Sequence, residues 1–132
     1  IFFSHIEYSN IISLTNTDLL KSYKEYSILL VTGISNPSLL IKNIKRTNKN
    51  VTHLSYRDHY NYKVSDIREI LHIYSKDKSA KKLILTTEKD ATKLRQLLNH
   101  FNGENLYYIP IDIEIKGKEI FENQLLDYVT KN

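Results

Sequence analysis

The sequence predicts an α/β fold in which a mostly parallel sheet carries helices on both faces. Two observations support this. The short, continuous apolar runs Ser27–Thr32 and Lys82–Thr86 are typical of strands buried on both faces. Such strands alternate with helix-like segments of roughly 10–13 residues, which favours right-handed crossovers and parallel pairing.

The first crossover follows the strand Ser27–Thr32. Gly33 ends this strand, and Asn36 is predicted to cap a helix whose first residue is Pro37, where the missing N–H of proline costs nothing. The apolar positions of this helix are Leu40, Ile41 and Ile44. Val51–Tyr56 then alternates Val, His and Ser with Thr, Leu and Tyr, and is predicted as the next strand.

Two further helices have clear apolar faces. Ser65 is predicted to cap the first, whose face lies at i, i+3, i+4 and i+7. These positions are Ile67, Ile70, Leu71 and Tyr74. Thr87 is predicted to cap the second, with Asp90 three residues on in a weak form of the capping box. The apolar face of this second helix is Ala91, Leu94, Leu97 and Leu98.

The two ends complete the prediction. Towards the C-terminus the pattern indicates two strands and a last helix, namely Leu106–Ile111, Asp112–Lys116 and Lys118–Val129. Near the N-terminus it indicates a strand, Phe2–Tyr8, and a short helix, Thr17–Tyr23. We interpret residues 1–26 as an entry strand or hinge from a preceding N-terminal domain, and residues 27–132 as a C-terminal α/β domain. The chain opens on Ile1 and has no methionine, so we expect a piece of a longer protein.

Composition excludes several functional classes. The chain has no cysteine, which excludes disulfides and thiolate metal sites. Its 19 Lys and Arg against 15 Asp and Glu give a net charge of +4 that is scattered, so a nucleic-acid partner is not expected. No apolar run approaches the ~20 residues that a membrane-spanning helix needs, and we expect this piece to be soluble. With 3 glycines, the chain also lacks a G-x-x-x-x-G-K-[ST] phosphate loop.

Three polar segments follow predicted strands and precede helices, and we call them the rim loops. They are Gly33–Pro37, Arg57–Tyr60 and Thr86–Asp90. In a parallel sheet these junctions lie at the carboxyl edge of the strands, where open α/β sheets bind their ligands. The sequence therefore predicts that the three loops lie together and form a candidate site.

Each rim loop also has a purely structural interpretation. Gly33–Pro37 suits a strand exit with a helix cap, and the acidic residues after Thr87 suit a helix N-terminus. Asp58 and His59 are the sharpest candidates, because a histidine beside a carboxylate suits general-base chemistry. Asp58 could equally bond to turn backbone. The other histidines are weaker candidates, and none has the spacing of a metal site; they are His5, His53, His72 and His100.

Taken in order, the rim loops resemble those of the tetraacyldisaccharide 4'-kinases. The matching stretches are Leu29–Pro37, Leu54–Tyr62 and Leu85–Ala91, and the resemblance runs from about residue 2 to residue 115. It implies the Rossmann-like C-terminal domain of a larger P-loop-type kinase. Two departures lie near the second loop: Tyr60 stands where a second histidine is common, and Lys63 where a threonine often follows.

The resemblance also implies an activity. ATP and Mg²⁺, bound mainly by the missing N-terminal domain, would serve transfer of the γ-phosphate to the 4'-hydroxyl of a tetraacyldisaccharide 1-phosphate in lipid A biosynthesis. The full enzyme would act at the cytoplasmic face of the inner membrane of a Gram-negative bacterium, bound peripherally to the membrane surface.

The same resemblance assigns roles to rim residues. His59 would activate the sugar hydroxyl together with an aspartate of the other domain, and Asp58 would support it. No metal ligand is expected in this piece. The remaining candidates for contact with nucleotide or substrate are Gly33, Asn36, Thr87, Glu88, Lys89 and Asp90.

The alternative from another class is a noncatalytic α/β regulatory or interaction module whose rim motifs are only helix caps. A G-x-x-x-x-G-K-[ST] motif encoded upstream of Ile1 would decide for the kinase.

Overall fold

The computed structural model describes residues 10–15, 19–20 and 22–110. Its strands are β1 (Ile11–Ser13), β2 (Leu19–Leu20), β3 (Ser27–Thr32), β4 (Val51–Ser55), β5 (Lys82–Thr87) and β6 (Leu106–Ile109). Its helices are α1 (Ser38–Thr47), α2 (Val64–Lys76), α3 (Glu88–Leu94) and a 3₁₀ helix, Arg95–Phe101. None of the helices in these ranges is long and apolar enough to cross a bilayer.

The strands form one sheet in the order β2-β1-β6-β5-β3-β4. β3 pairs in parallel with β4 and β5, and β5 pairs in parallel with β6. β1 is antiparallel to both of its neighbours, β2 and β6. The prediction of an α/β fold with a mostly parallel sheet is confirmed.

Alternate residues of the buried strands face opposite helices. Helix α1 packs on one face, where its buried residues meet one set of strand residues: Leu40, Ile44, Ile28, Leu30, Leu83 and Leu85. Helices α2 and α3 pack on the other face, with this second set: Ile67, Ile70, Tyr74, Ala91, Leu94, Leu29, Val31 and Ile84. Both faces of the central strands are therefore covered, as their continuous apolar sequence predicts.

Four strand predictions agree closely with the structure. β3 occupies the predicted residues, β4 ends one residue early, and β5 continues one residue further. β6 ends at Ile109, directly before Pro110, which has no N–H to donate to a neighbouring strand. The predicted elements Phe2–Tyr8, Asp112–Lys116 and Lys118–Val129 lie outside the described residues.

Two helix starts differ from the prediction. α1 begins at Ser38 rather than Pro37, and the Asn36 side-chain oxygen accepts the Ser38 N–H at 3.3 Å. The prediction that Ser65 caps the next helix is wrong, because α2 already begins at Val64. Asp66 reaches back and accepts the Lys63 N–H at 2.8 Å, so the acidic residue fixes this helix start.

Two further predictions are wrong in element type. Leu19–Leu20, inside the predicted helix Thr17–Tyr23, forms strand β2 instead. The sequence pattern does not predict strand β1. This strand is held by antiparallel pairing with β6, in which Ile12 lies opposite Tyr108. The helix predicted through Leu98 ends at Leu94 and continues as the 3₁₀ turn.

Candidate functional site

The three rim loops meet at the carboxyl edge of β5, β3 and β4, which are neighbours in the sheet. The Gly33 N–H donates to Asp90 Oδ2 at 3.1 Å, which joins the first loop to the third. The Gly33 carbonyl oxygen accepts the His59 N–H at 3.2 Å, which joins the first loop to the second. The prediction that these loops lie along one edge is confirmed.

Gly33 permits this close approach because it has no side chain. A Cβ atom built on it would lie 3.0 Å from Asp90 Oδ1, 3.1 Å from the Tyr62 hydroxyl oxygen and 3.3 Å from the Arg57 carbonyl oxygen. A larger residue would therefore force these neighbouring atoms to shift by a few tenths of an ångström. Gly33 is a packing residue of the site, and the structure shows it buried rather than facing solvent.

Asp58 and His59 of the second rim loop are both exposed to solvent. The His59 side chain is 74% exposed, and its Nε2 lies 3.5 Å from Asp58 Oδ2. His59 also has a φ of 61°, in the left-handed region that few residues other than glycine adopt, although histidine is found there more often than most. A backbone strained in this way is kept only where its surroundings hold it, and such positions cluster at functional sites.

The segment around His59 is held by packed tyrosine rings and by hydrogen bonds of Tyr60. Its three tyrosine rings pack together, with the Tyr56 and Tyr60 centroids 4.7 Å apart and the Tyr62 ring edge-on to both. The Tyr60 hydroxyl donates to Asp66 at 2.8 Å, and the Lys93 amino group donates to the Tyr60 carbonyl oxygen at 2.8 Å. The sequence analysis missed this cluster, although the spacing of tyrosines at 56, 60 and 62 was a visible signal.

The third loop divides into buried and exposed residues. Thr87 and Asp90 are each only 2% exposed, whereas Glu88 is half-buried and Lys89 is exposed. Thr87 accepts the Asp90 N–H at 3.0 Å, which confirms the predicted helix cap. Of the first loop, Asn36 is exposed and bonds to Ser38 as a helix-start residue. Contact of these side chains with substrate or nucleotide stays a prediction.

Burial changes the acidity of Tyr62. The pKa of its hydroxyl is raised above the ordinary value of 10.0, first by burial and then by the neighbouring Asp90 carboxylate. The pKa of Tyr56 is raised as well, by burial and by Glu69, and burial raises that of Tyr74 to about 12. The native state therefore holds these protons more tightly than the unfolded chain does.

This arrangement predicts alkaline destabilisation. Because the folded pKa values are raised, the stabilisation is complete below pH 10 and is lost as pH rises above it, where the unfolded chain releases protons first. We expect the free energy of unfolding to fall above pH 10, and to fall less steeply in Tyr62→Phe. Urea unfolding at pH 8 and at several values above pH 10 measures both slopes. Equal slopes in the two proteins would contradict the role of Tyr62.

None of the other histidines that the structure describes lies in a rim loop. His53, on the edge strand β4, shares a 2.8 Å hydrogen bond with Thr32, and its pKa is lowered by burial and by Lys45. His72 and His100 are exposed on α2 and at the end of the 3₁₀ helix. His5 lies outside the described residues.

The described residues do not form a cradle for a triphosphate. Such a cradle would lie between β3 and α1, but Pro37 has no N–H there and the Ser38 N–H already donates to Asn36. In the same described ranges no group of three or more His, Asp or Glu side chains is arranged to hold a metal ion. We therefore assign none of the described residues to ATP or Mg²⁺.

A cavity of about 540 Å³ opens beside the His59 segment. Its volume is in the usual range for ligand sites. Its lining residues are Asn61, Tyr62, Thr92, Lys93, Gln96 and Leu97.

The chain is similar over most of its length to known kinases. Residues 2–130 match a family model described as Tetraacyldisaccharide-1-P 4'-kinase. A Tetraacyldisaccharide 4'-kinase of Bacteroides thetaiotaomicron is 36% identical over 124 residues, which cover 91% of this chain and 30% of the relative. One of Flavobacterium psychrophilum is 31% identical over 131 residues, which cover 98% of this chain and 35% of the relative. No solved structure matches the chain significantly.

The chain thus spans about a third of the length of these curated relatives. The matched residues include all three rim loops and the strands that carry them. The chain belongs to the tetraacyldisaccharide-1-P 4'-kinase family.

Proposed function

We propose that this chain is the C-terminal part of a kinase that transfers the γ-phosphate of ATP to the 4'-hydroxyl of a tetraacyldisaccharide 1-phosphate in lipid A biosynthesis. The observation that carries the proposal is the family match over residues 2–130. The rim geometry supports it, because the loops that carry the resemblance converge on one exposed histidine.

His59 is the proposed catalytic residue. Its imidazole would accept the proton of the sugar hydroxyl, since a hydroxyl is a poor nucleophile until its proton is drawn away. Asp58 would orient the ring through its carboxylate, 3.5 Å from Nε2. The cavity beside this segment is our proposed contact for the sugar headgroup.

ATP and Mg²⁺ would supply the phosphoryl group and neutralise its charge. We place both in the part of the full-length kinase that this chain does not span, because the described residues offer them no cradle. Because the proposed substrate is an acylated lipid, we place the full-length kinase at the cytoplasmic face of the inner membrane.

The chain alone is therefore expected to fold but to show no turnover. The measurement is phosphate transfer from ATP to the purified tetraacyldisaccharide 1-phosphate, by the 132-residue chain and by the full-length kinase that contains it. Turnover by the 132-residue chain would contradict the proposal that ATP and Mg²⁺ bind in the part of the full-length kinase that this chain does not span. An inactive full-length protein would instead favour the interaction-module alternative.

A further inference from the structure

Asp90 accepts hydrogen bonds from the first rim loop, from its own loop and from Tyr62, two residues after the second rim loop. Its Oδ2 accepts the Gly33 N–H at 3.1 Å and the Thr87 hydroxyl at 2.7 Å, and its Oδ1 accepts the Tyr62 hydroxyl at 3.1 Å. The side chain is 2% exposed. A carboxylate that is buried and bonded to three protein donors is not placed to bind a ligand itself.

Two connections run from Asp90 to the segment that carries His59. In the first, Asp90 fixes the Gly33 N–H, and the carbonyl oxygen of the same glycine accepts the His59 N–H at 3.2 Å. In the second, Asp90 fixes the hydroxyl of Tyr62, three residues after His59. The left-handed backbone of His59 lies between these two attachments. Hydrogen bonds of this kind to a charged acceptor are stronger than neutral ones.

We propose that Asp90 is a positioning residue for His59, which it acts on through Gly33 and Tyr62 without touching the substrate. The proposal rests on the proposed function of His59. A displacement of about 1 Å at a reacting group can cost about 10²-fold in rate, so loosening this segment has a measurable effect even though Asp90 is remote from solvent.

The chemistry of Asp90 also predicts which replacement preserves the role. Alanine removes all three bonds. Asparagine keeps the shape, and with its oxygen towards Gly33 and Thr87 its amide can donate to the Tyr62 oxygen, because a tyrosine hydroxyl also accepts. Asp90→Asn is therefore the conservative variant.

Asn48 provides a matched control at the opposite end of β3. It is buried at 4% exposure, and its side chain also makes three hydrogen bonds, to the Tyr23 and Tyr26 carbonyl oxygens and from the Asn50 N–H. Asn48→Ala thus removes an equally buried polar side chain without touching the rim.

The test measures kcat and the KM for lipid in the full-length kinase, on variants confirmed to be folded. Asp90→Ala should lower kcat by up to about 10²-fold, Asp90→Asn should restore most of it, and Asn48→Ala should leave it near wild type. In a His59→Asn background, the further loss from Asp90→Ala should shrink to less than about threefold, because residues that act together are not additive. Hydrogen exchange of the segment 57–62 should be faster in Asp90→Ala alone.

Two outcomes would overturn the proposal: equal kcat in Asp90→Ala and Asn48→Ala, or a full Asp90→Ala effect in the His59→Asn background. If Asp90→Ala does not fold, Tyr62→Phe takes its place, because it removes one of the two connections to the His59 segment. It is then measured alone and in the His59→Asn background, and the same two outcomes would overturn the proposal. Unchanged activity in His59→Asn alone would refute the proposed catalytic role of His59. Hydrogen exchange of segment 57–62 would still decide whether Asp90 holds that segment in place.

Discussion

His59→Asn in the full-length kinase should lower kcat by about 10²–10⁴-fold, because a positioned general base typically contributes that factor. Asparagine is chosen because, like histidine, it adopts the left-handed backbone more readily than most residues, and His59 has a φ of 61°. The KM for ATP should change little, since the described residues near His59 form no triphosphate cradle. Steady-state kinetics on the folded variant measure both constants.

Matched histidines supply the controls for this prediction. His72→Asn and His100→Asn change exposed histidines that lie outside the rim, so their kcat should stay near wild type. Asp58→Asn should cost less than His59→Asn if the carboxylate only orients the ring; an equal or larger loss would transfer the role of base to Asp58. If His59→Asn keeps kcat within a few-fold of wild type, the Asp58–His59 pair is structural.

The central strands and helices were predictable because their patterns are local. The apolar runs of β3 and β5 mark strands covered on both faces, and the stripe through Ile67, Ile70 and Tyr74 marks the buried face of α2. β1 and β2 were not predictable in this way. They are three and two residues long, and β1 is fixed by pairing with β6, about a hundred residues away in sequence.

The same distinction applies to the site. That three loops share one edge follows from the alternation of strands and helices, which is a property of local sequence. The burial of Asp90 does not follow from local sequence, because the residues that donate hydrogen bonds to it, Gly33 and Tyr62, lie 57 and 28 residues away. The left-handed backbone of His59 was equally hidden, since histidine adopts it more often than most residues but not often enough for one histidine to predict it.

Phe101→Ala should lower the free energy of unfolding of the 132-residue chain by about 3–5 kcal/mol, the usual cost of truncating a fully buried aromatic side chain. Phe101 is 0% exposed and closes the 3₁₀ helix onto the core that includes Ile67 and Ile70 of α2. The left-handed residues Asn102 and Gly103 follow it and lead the chain towards β6. The loss would be a large part of the 5–15 kcal/mol that stabilises a typical domain.

Urea unfolding measures this cost, with Leu39→Ala as the control. Leu39 is 55% exposed on α1, so its truncation should change the free energy of unfolding by less than about 0.5 kcal/mol. The denaturant slope m should be the same in wild type and both variants, because it reports the surface exposed on unfolding. A Phe101→Ala loss below about 1 kcal/mol would mean that the core under the 3₁₀ helix closes around the smaller side chain, since a core that refills the space escapes the cavity cost.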